Sequence, residues 1–159
     1  MKKQLFWSLL LLLPLSVLSQ EDKPSGFQGY MKLEDGKVVD FSYLDNPADG
    51  TNIAYYPKKP GQGQYRRKKG RKLLPFSSVS GIRLLPLAPE EAAELRHLCG
   101  DGTLQKATLT LKDPLTRIPE LLYLDIKCFD WRSASMPGFH DIYRMEARFL
   151  DEIVIQHNP

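Results

Sequence analysis

Apolar and polar side chains alternate along several stretches of this chain, and this pattern predicts β-strands. In residues 31–34 apolar side chains alternate with charged ones, and Asp35-Gly36 follows as a strong two-residue turn signal. The alternation resumes in residues 39–43, where Val39, Phe41 and Tyr43 share one face. We therefore predict an antiparallel hairpin with one face turned toward the core.

The second half of the chain shows the same kind of pattern. Residues 106–111, 122–128 and 143–149 alternate, and residues 153–155 form a short apolar run. Residues 88–99 instead have helical spacing, with Pro89 at the first position and a glycine directly after the last. These patterns predict a mainly β protein with one short helix near its middle.

The order of the predicted strands is the same before and after this helix. Residues 31–35 (MKLED) correspond to 109–113 (LTLKD), and residues 79–84 (VSGIRL) correspond to 150–155 (LDEIVI). Five short strands with a one-turn bend before the last resemble the SH3-like or Sm-like small β-barrel. The resemblance implies two similar antiparallel units that act as binding modules for proteins or nucleic acids. Pro114 departs from it, because the first half has its turn glycine there, and a single fused β-sheet domain fits the pattern equally well.

The composition shifts along the chain divide it into five segments. We predict a signal peptide (1–19), a flexible lead (20–29), a first β unit (30–87) with a basic loop (57–72), a linker helix (88–100) and a second β unit (101–159).

The amino terminus has the three parts of a secretory signal. Lys2 and Lys3 precede an apolar run over residues 5–18, and small or branched side chains then lead to Ser19 and a polar stretch. The apolar run is shorter than the roughly 20 residues that a membrane span needs. We therefore predict cleavage after Ser19 and a periplasmic or secreted bacterial protein, with no transmembrane segment after cleavage and no access to intracellular nucleic acid.

Charge is distributed unevenly, although the formal net charge is only +3. Residues 58–72 hold eight Lys and Arg residues and no acid, with one tyrosine among them. Such a segment is able to bind an anionic envelope polymer or an acidic protein. A solvated loop whose charge offsets an otherwise acidic chain explains the same pattern. The candidate binding residues are Lys58, Lys59, Tyr65, Arg66, Arg67, Lys68, Lys69, Arg71 and Lys72.

Cys99 and Cys128 are the two cysteines of the chain. In an oxidising compartment they are candidates for a disulfide bond, and two buried free thiols are the alternative. Together with His97 and His140 they could bind zinc, but their spacing lacks the compact pairs of zinc sites. We therefore predict no metal and no cofactor.

No motif of a familiar enzyme class is present. The chain lacks a Gly-x-Ser-x-Gly elbow and a Gly-rich phosphate loop with its Lys-Ser/Thr ending. The sequence therefore predicts a non-enzymatic binding or structural accessory protein of the bacterial envelope. A small secreted hydrolase is the alternative, because single acids such as Asp125, Asp130, Glu146 and Asp151 can meet in the folded chain.

Overall fold

A computed structural model describes residues 27–100, 104–135 and 141–157. The predicted signal peptide, His140 and the side chain of His157 lie outside the described part. In the described ranges no helix is long and apolar enough to span a membrane.

The described chain forms strands, two α-helices and two single turns of 3-10 helix. The strands are β1 (Phe27–Leu33), β2 (Val38–Asp45), β3 (Asn52–Tyr56), β4 (Lys72–Pro75), β5 (Val79–Leu84), β6 (Leu104–Leu111), β7 (Leu122–Asp125), β8 (Cys128–Ser133), β9 (Tyr143–Glu146) and β10 (Leu150–His157). The helices are α1 (Gln62–Arg66) and α2 (Pro89–Cys99), and the 3-10 turns are Phe76–Ser78 and Ala147–Phe149.

All these strands join one antiparallel sheet in the order β4-β3-β7-β6-β5-β10-β1-β2-β8-β9. The mainly β class predicted from alternation is therefore confirmed. The predicted first hairpin is also present, since β1 pairs with β2 and Met31 lies opposite Val39. Gly36 has a φ of 82° in the turn between them, a backbone conformation that glycine adopts at little cost.

The two parts of the chain on either side of α2 share this sheet rather than forming separate sheets. β1 pairs with β10, β2 with β8, and β3 with β7. The strand order is also symmetric about its central β5–β10 pair. Strands at equal distances from this centre differ by five in number: β6 and β1, β7 and β2, β3 and β8, and β4 and β9.

Local details follow the same correspondence. The Glu34 N–H donates to the Phe149 carbonyl at 3.0 Å, and the Lys112 N–H donates to the Ser78 carbonyl at 3.0 Å. The first bond joins the residue after β1 to the last residue of the 3-10 turn 147–149. The second joins the residue after β6 to the last residue of the 3-10 turn 76–78. Both 3-10 turns lead directly into the strand that follows, β5 or β10.

Gly29 lies in β1 where there is no room for a side chain. A Cβ atom at this position would lie 1.9 Å from the Val154 carbonyl oxygen and 2.8 Å from the Phe41 ring. Because no side chain fits there, glycine is required for the two strands to pair at this point.

The sheet curls around a core of aliphatic and aromatic side chains, which we call the sheet core. Phe76 directly follows β4, and Phe129 lies on β8. Their rings meet edge to face, with 6.1 Å between the ring centroids. Other fully buried members of the sheet core are Met31, Phe41, Leu44, Ile53, Val79, Ala107, Leu122 and Leu124.

A second, smaller group of buried side chains lies where α2 meets the sheet. This helix-side cluster consists of Tyr56, Leu95, Leu104 and Tyr123. α2 begins with Pro89 and two acids in its first turn, and Gly100 ends it with a φ of 70°. Its buried Leu95 fixes the helix over β3, β6 and β7.

Four sequence predictions differ from the observed elements. The alternating stretch 143–149 is a strand only as far as Glu146, since Ala147–Phe149 form a 3-10 turn. β1 begins at Phe27, so strand structure extends into the segment predicted as a flexible lead. The single strand predicted over 122–128 is two strands in the structure. β7 pairs with β6, whereas β8 lies between β2 and β9 in another part of the sheet. The basic loop, which was predicted to be a solvated loop without secondary structure, contains α1.

Candidate functional site

The basic segment, residues 58–72, connects β3 to β4 and is partly folded. α1 begins after Gly61, whose N–H is bound by the Gln64 side-chain oxygen at 2.9 Å. After the helix, the Lys68 N–H donates to the Tyr65 carbonyl and the Lys69 N–H donates to the Gln64 carbonyl. These two bonds form a Schellman cap, which places Lys68 in the left-handed region with a φ of 52°.

Arg71 fastens the carboxyl end of the basic segment to the sheet. Its Nη1 and Nη2 atoms bind both carboxylate oxygens of Asp49, the Nη1 contact measuring 2.9 Å, and its Nε donates to Asp125 Oδ2 at 2.6 Å. All three side chains are largely buried, with exposures of 10% for Arg71, 14% for Asp49 and 13% for Asp125. Arg71 is thus a structural anchor, although the sequence placed it among eight equivalent cations.

Hydrogen bonds from Arg71 hold the pKa of Asp49 below its usual value. The same contact raises the pKa of Arg71 above that of free arginine. Asp49 and Asp125 are the two acids that the fold brings together here, and the single guanidinium of Arg71 hydrogen-bonds to both. Both carboxylates are therefore engaged in anchoring the basic segment.

Two further ion pairs bind α2 to its surroundings. Lys59 forms a salt bridge with Glu94 on the exposed side of α2, and this hydrogen bond raises the pKa of Lys59. On the inner side, Glu91 accepts hydrogen bonds from Lys106 and from the Tyr123 hydroxyl, both at 3.1 Å. Lys59 is therefore also engaged in holding the segment against the helix.

Tyr65 provides an apolar contact beneath the basic segment. Its ring lies 6.2 Å from that of Tyr56, and it packs against the helix-side cluster with Leu98 and Cys99. Pro60 is buried nearby. These contacts explain why a stretch so rich in charge folds: Pro60 is buried and Tyr65 is half-buried, while most of the cations stay in water.

The other cations of the basic segment are exposed. Within the described ranges none of them forms a salt bridge, so their charge is available to a partner. They are Lys58, Arg66, Arg67, Lys68, Lys69 and Lys72.

A pocket of about 580 Å³ lies between α1 and the carboxyl end of α2. Gln62, Arg66 and Lys68 line it from the basic segment, while His97 and Lys127 line it from α2 and from the turn between β7 and β8. Its surface also includes Ala48, Leu98 and the Tyr65 ring. Sequence reasoning missed His97 and Lys127 as members of this site, because neither is near the basic segment in the chain.

A second pocket of about 420 Å³ lies against β3 and the start of the basic segment. Four lysines line it, and Tyr56, whose hydroxyl is buried without a hydrogen-bond partner among the described residues, lies at its wall. Burial raises the pKa of Tyr56. The lysines are Lys58, Lys59, Lys69 and Lys72.

Cys99 and Cys128 are free thiols in the structure, and Cys99 donates to the Leu95 carbonyl at 2.7 Å. Their disulfide stays a prediction. Among residues 27–100, 104–135 and 141–157, no group of three or more His, Cys, Asp or Glu side chains is placed to hold a metal ion.

The remaining acids considered for hydrolysis are also engaged or solitary. Asp130 binds the Arg144 guanidinium at 2.8 and 3.1 Å, and Glu146 binds Arg148 at 2.6 Å. These contacts lie on or beside β8 and β9. The feature with the clearest capacity to bind is thus the exposed positive charge of the basic segment.

Comparison of the chain with protein-family models, with curated proteins and with solved structures gives no match in any of the three.

Proposed function

We propose that this chain is a non-enzymatic binding protein that holds an anionic polymer or an acidic protein through its basic segment. One observation carries the proposal: six cations stay exposed on a segment that the fold fixes in place. Arg71 and Tyr65 anchor the segment, so its charges are presented together rather than dispersed on a flexible chain. A fixed cluster of charge binds a polyanion with less loss of conformational entropy than a mobile one.

The amino-terminal sequence adds a location to this proposal. A signal peptide over residues 1–19 sends the mature protein to the periplasm or outside the cell. The anionic partners available there are envelope polymers, lipid head groups and acidic proteins. The protein then acts as an accessory component of the bacterial envelope.

We also propose that the sheet consists of two SH3-like units that exchange strands. One unit is β5-β6-β7-β3-β4, with β6 and β7 from the second half of the chain and the other three strands from the first. The other unit is β10-β1-β2-β8-β9, with β1 and β2 from the first half and the other three strands from the second. The correspondence of hydrogen bonds supports this arrangement: the Phe76 N–H donates to Thr51 and the Ala147 N–H donates to Lys127, both at 2.9 Å. Small barrels of this type are commonly binding modules, although the fold alone does not fix the partner.

Salt-dependent retention on an anionic matrix tests the binding function. In one variant the six exposed cations of the basic segment are replaced by Gln, while the anchors Lys59 and Arg71 are kept. In the control, six exposed cations elsewhere are replaced by Gln and the same charge is removed. The control positions are Lys32, Lys37, Arg83, Arg96, Lys112 and Arg117.

We expect the basic-segment variant to elute at much lower salt than the wild type, and the control to elute close to the wild type. Clustered charges release more counterions on one polyanion than scattered charges do. Equal shifts for the two variants would mean that only total charge matters, and would contradict the proposal. Circular dichroism before and after the substitutions verifies that both variants stay folded.

A further inference from the structure

The exposed cations of the basic segment lie on two opposite flanks. In α1 successive residues are rotated by about 100° around the helix axis. Gln62, Tyr65 and Arg66 therefore share one face, and they line the pocket beside α2. Gln64 points to the opposite face and lines the pocket beside β3. The two pockets share no lining residue, so the segment forms a ridge between them.

Both pockets carry positive charge. The pocket beside α2 contains Arg66 and Lys68 from the segment and Lys127 from outside it. Asp125 is the one carboxylate among the described residues that line it, and Arg71 binds this carboxylate. The charged residues described in the pocket beside β3 are all lysines. One of them, Lys59, forms a salt bridge with Glu94. Arg67 is exposed and lines neither pocket.

This arrangement distinguishes between possible partners. A flat acidic protein face rests on the crest of a ridge and does not enter the pockets on its two sides, and a small anion fills only one pocket. A flexible chain with repeated negative charges crosses the ridge and places charges in both pockets. We infer that the ligand of the basic segment is a flexible linear polyanion that occupies both pockets at once. This inference rests on the proposed function and specifies its partner.

Inorganic polyphosphate provides a direct probe of this inference. Affinity for a long polyphosphate chain is compared with affinity for triphosphate at equal phosphate concentration, by isothermal titration calorimetry on the wild-type protein. Because the second pocket is filled within the same complex, we expect the long chain to bind about 100-fold more tightly or better. The slope of log affinity against log salt should also be steeper for the long chain, since more counterions are released.

Flank-specific variants identify the two pockets. One variant carries Arg66→Gln and Lys68→Gln, and another carries Lys69→Gln and Lys72→Gln. A control carries Lys112→Gln and Arg117→Gln, which remove two exposed charges away from the segment. We expect each flank variant to lose most of the advantage of the long chain over triphosphate, and the control to keep it. Thermal unfolding of each variant confirms that the fold is retained.

The outcomes separate this inference from the function on which it rests. Equal affinity for both probes, or loss in only one of the flank variants, would overturn the two-pocket ligand while leaving binding by the basic segment intact. Absence of binding to either probe, together with unchanged retention of the six-cation variant on the anionic matrix, would overturn both.

Discussion

The sheet core and the helix-side cluster are built from different kinds of side chains and serve different ends. The sheet core contains mainly Phe, Leu and Ile residues from both halves of the chain, together with smaller numbers of Ala, Val, Met and Tyr. The helix-side cluster has two leucines and two tyrosines, and their neighbours are Tyr65 and the end of α2. The first cluster determines whether the sheet exists, whereas the second determines where the basic segment lies. The candidate binding surface thus depends on the smaller and more polar of the two.

The largest effect is expected in the sheet core. Phe41→Ala removes a fully buried ring that packs near Gly29, and the rigid strands around it cannot close the cavity. We expect the free energy of unfolding to fall by about 4 kcal/mol, measured by urea denaturation. A loss below about 1 kcal/mol would contradict the placement of Phe41 in the core. Val38→Ala, at an exposed position in the same strand, is the control.

Arg71→Met tests the polar anchor of the basic segment. The substitution leaves Asp49 and Asp125 as nearly buried charges without their partner. We expect a loss of about 3 kcal/mol in the free energy of unfolding at neutral pH. Lys69→Met removes an exposed cation of the same segment and should change stability little.

The cost of Arg71→Met should also depend on pH. In the folded protein the pKa of Asp49 lies below its unfolded value of about 3.9. A lowered pKa contributes stability that is present above the unfolded pKa and is lost as pH falls through the folded pKa. The difference in unfolding free energy between wild type and variant should therefore shrink on acidification below about pH 4. A constant difference across this range would contradict the ionised Asp49–Arg71 pair.

Leu95→Ala weakens the helix-side cluster without touching the sheet core. Leu95 is the buried residue of α2, but its neighbours include half-buried side chains that can move into the space. We expect a loss of about 2 kcal/mol, at the lower end for such substitutions. Hydrogen exchange should accelerate in 61–69 more than in β5 and β10. Equal acceleration everywhere would show that the two clusters unfold as one unit.

Lys68→Gly has the smallest expected effect and the opposite sign. Lys68 adopts a positive φ in the cap of α1, where glycine avoids the strain of a side chain. We expect stabilisation by up to about 1 kcal/mol, measured by thermal unfolding. Lys69→Gly, at the next position without a positive φ, should destabilise instead. Stabilisation by both would point to loss of charge repulsion rather than relief of backbone strain.

Alternation in the sequence predicted the buried position of Phe41 but not the fate of Tyr43, because β2 has an irregularity between these residues and buries Leu44 instead. Phe41 lies inside as its pattern predicted, and the turn at Gly36 pairs β1 with β2. The pairing of β1 with β10 could not be predicted, because period-two alternation fixes side-chain direction and leaves distant partners open. The SH3-like repeat and the division into two units stay predictions.

The basic segment shows a similar division. Its charge was evident in the sequence, but Arg71 could not be distinguished from its neighbours there. Its partners Asp49 and Asp125 are 22 and 54 residues away in the chain. Likewise, His97 and Lys127 join the pocket only through the packing of α2 and β7. Residues brought together by tertiary contacts carry no local signal in a single sequence.

The pairing of β1 with β10 also determines when this protein is able to fold. β1 leaves the ribosome long before β10 is made. The edge of β1 that pairs with β10 therefore lacks its partner during this time. Contacts between such distant parts of a chain form slowly, and unpaired strand edges aggregate in the meantime. The central pairing of this sheet is therefore completed only after β10 has been synthesised.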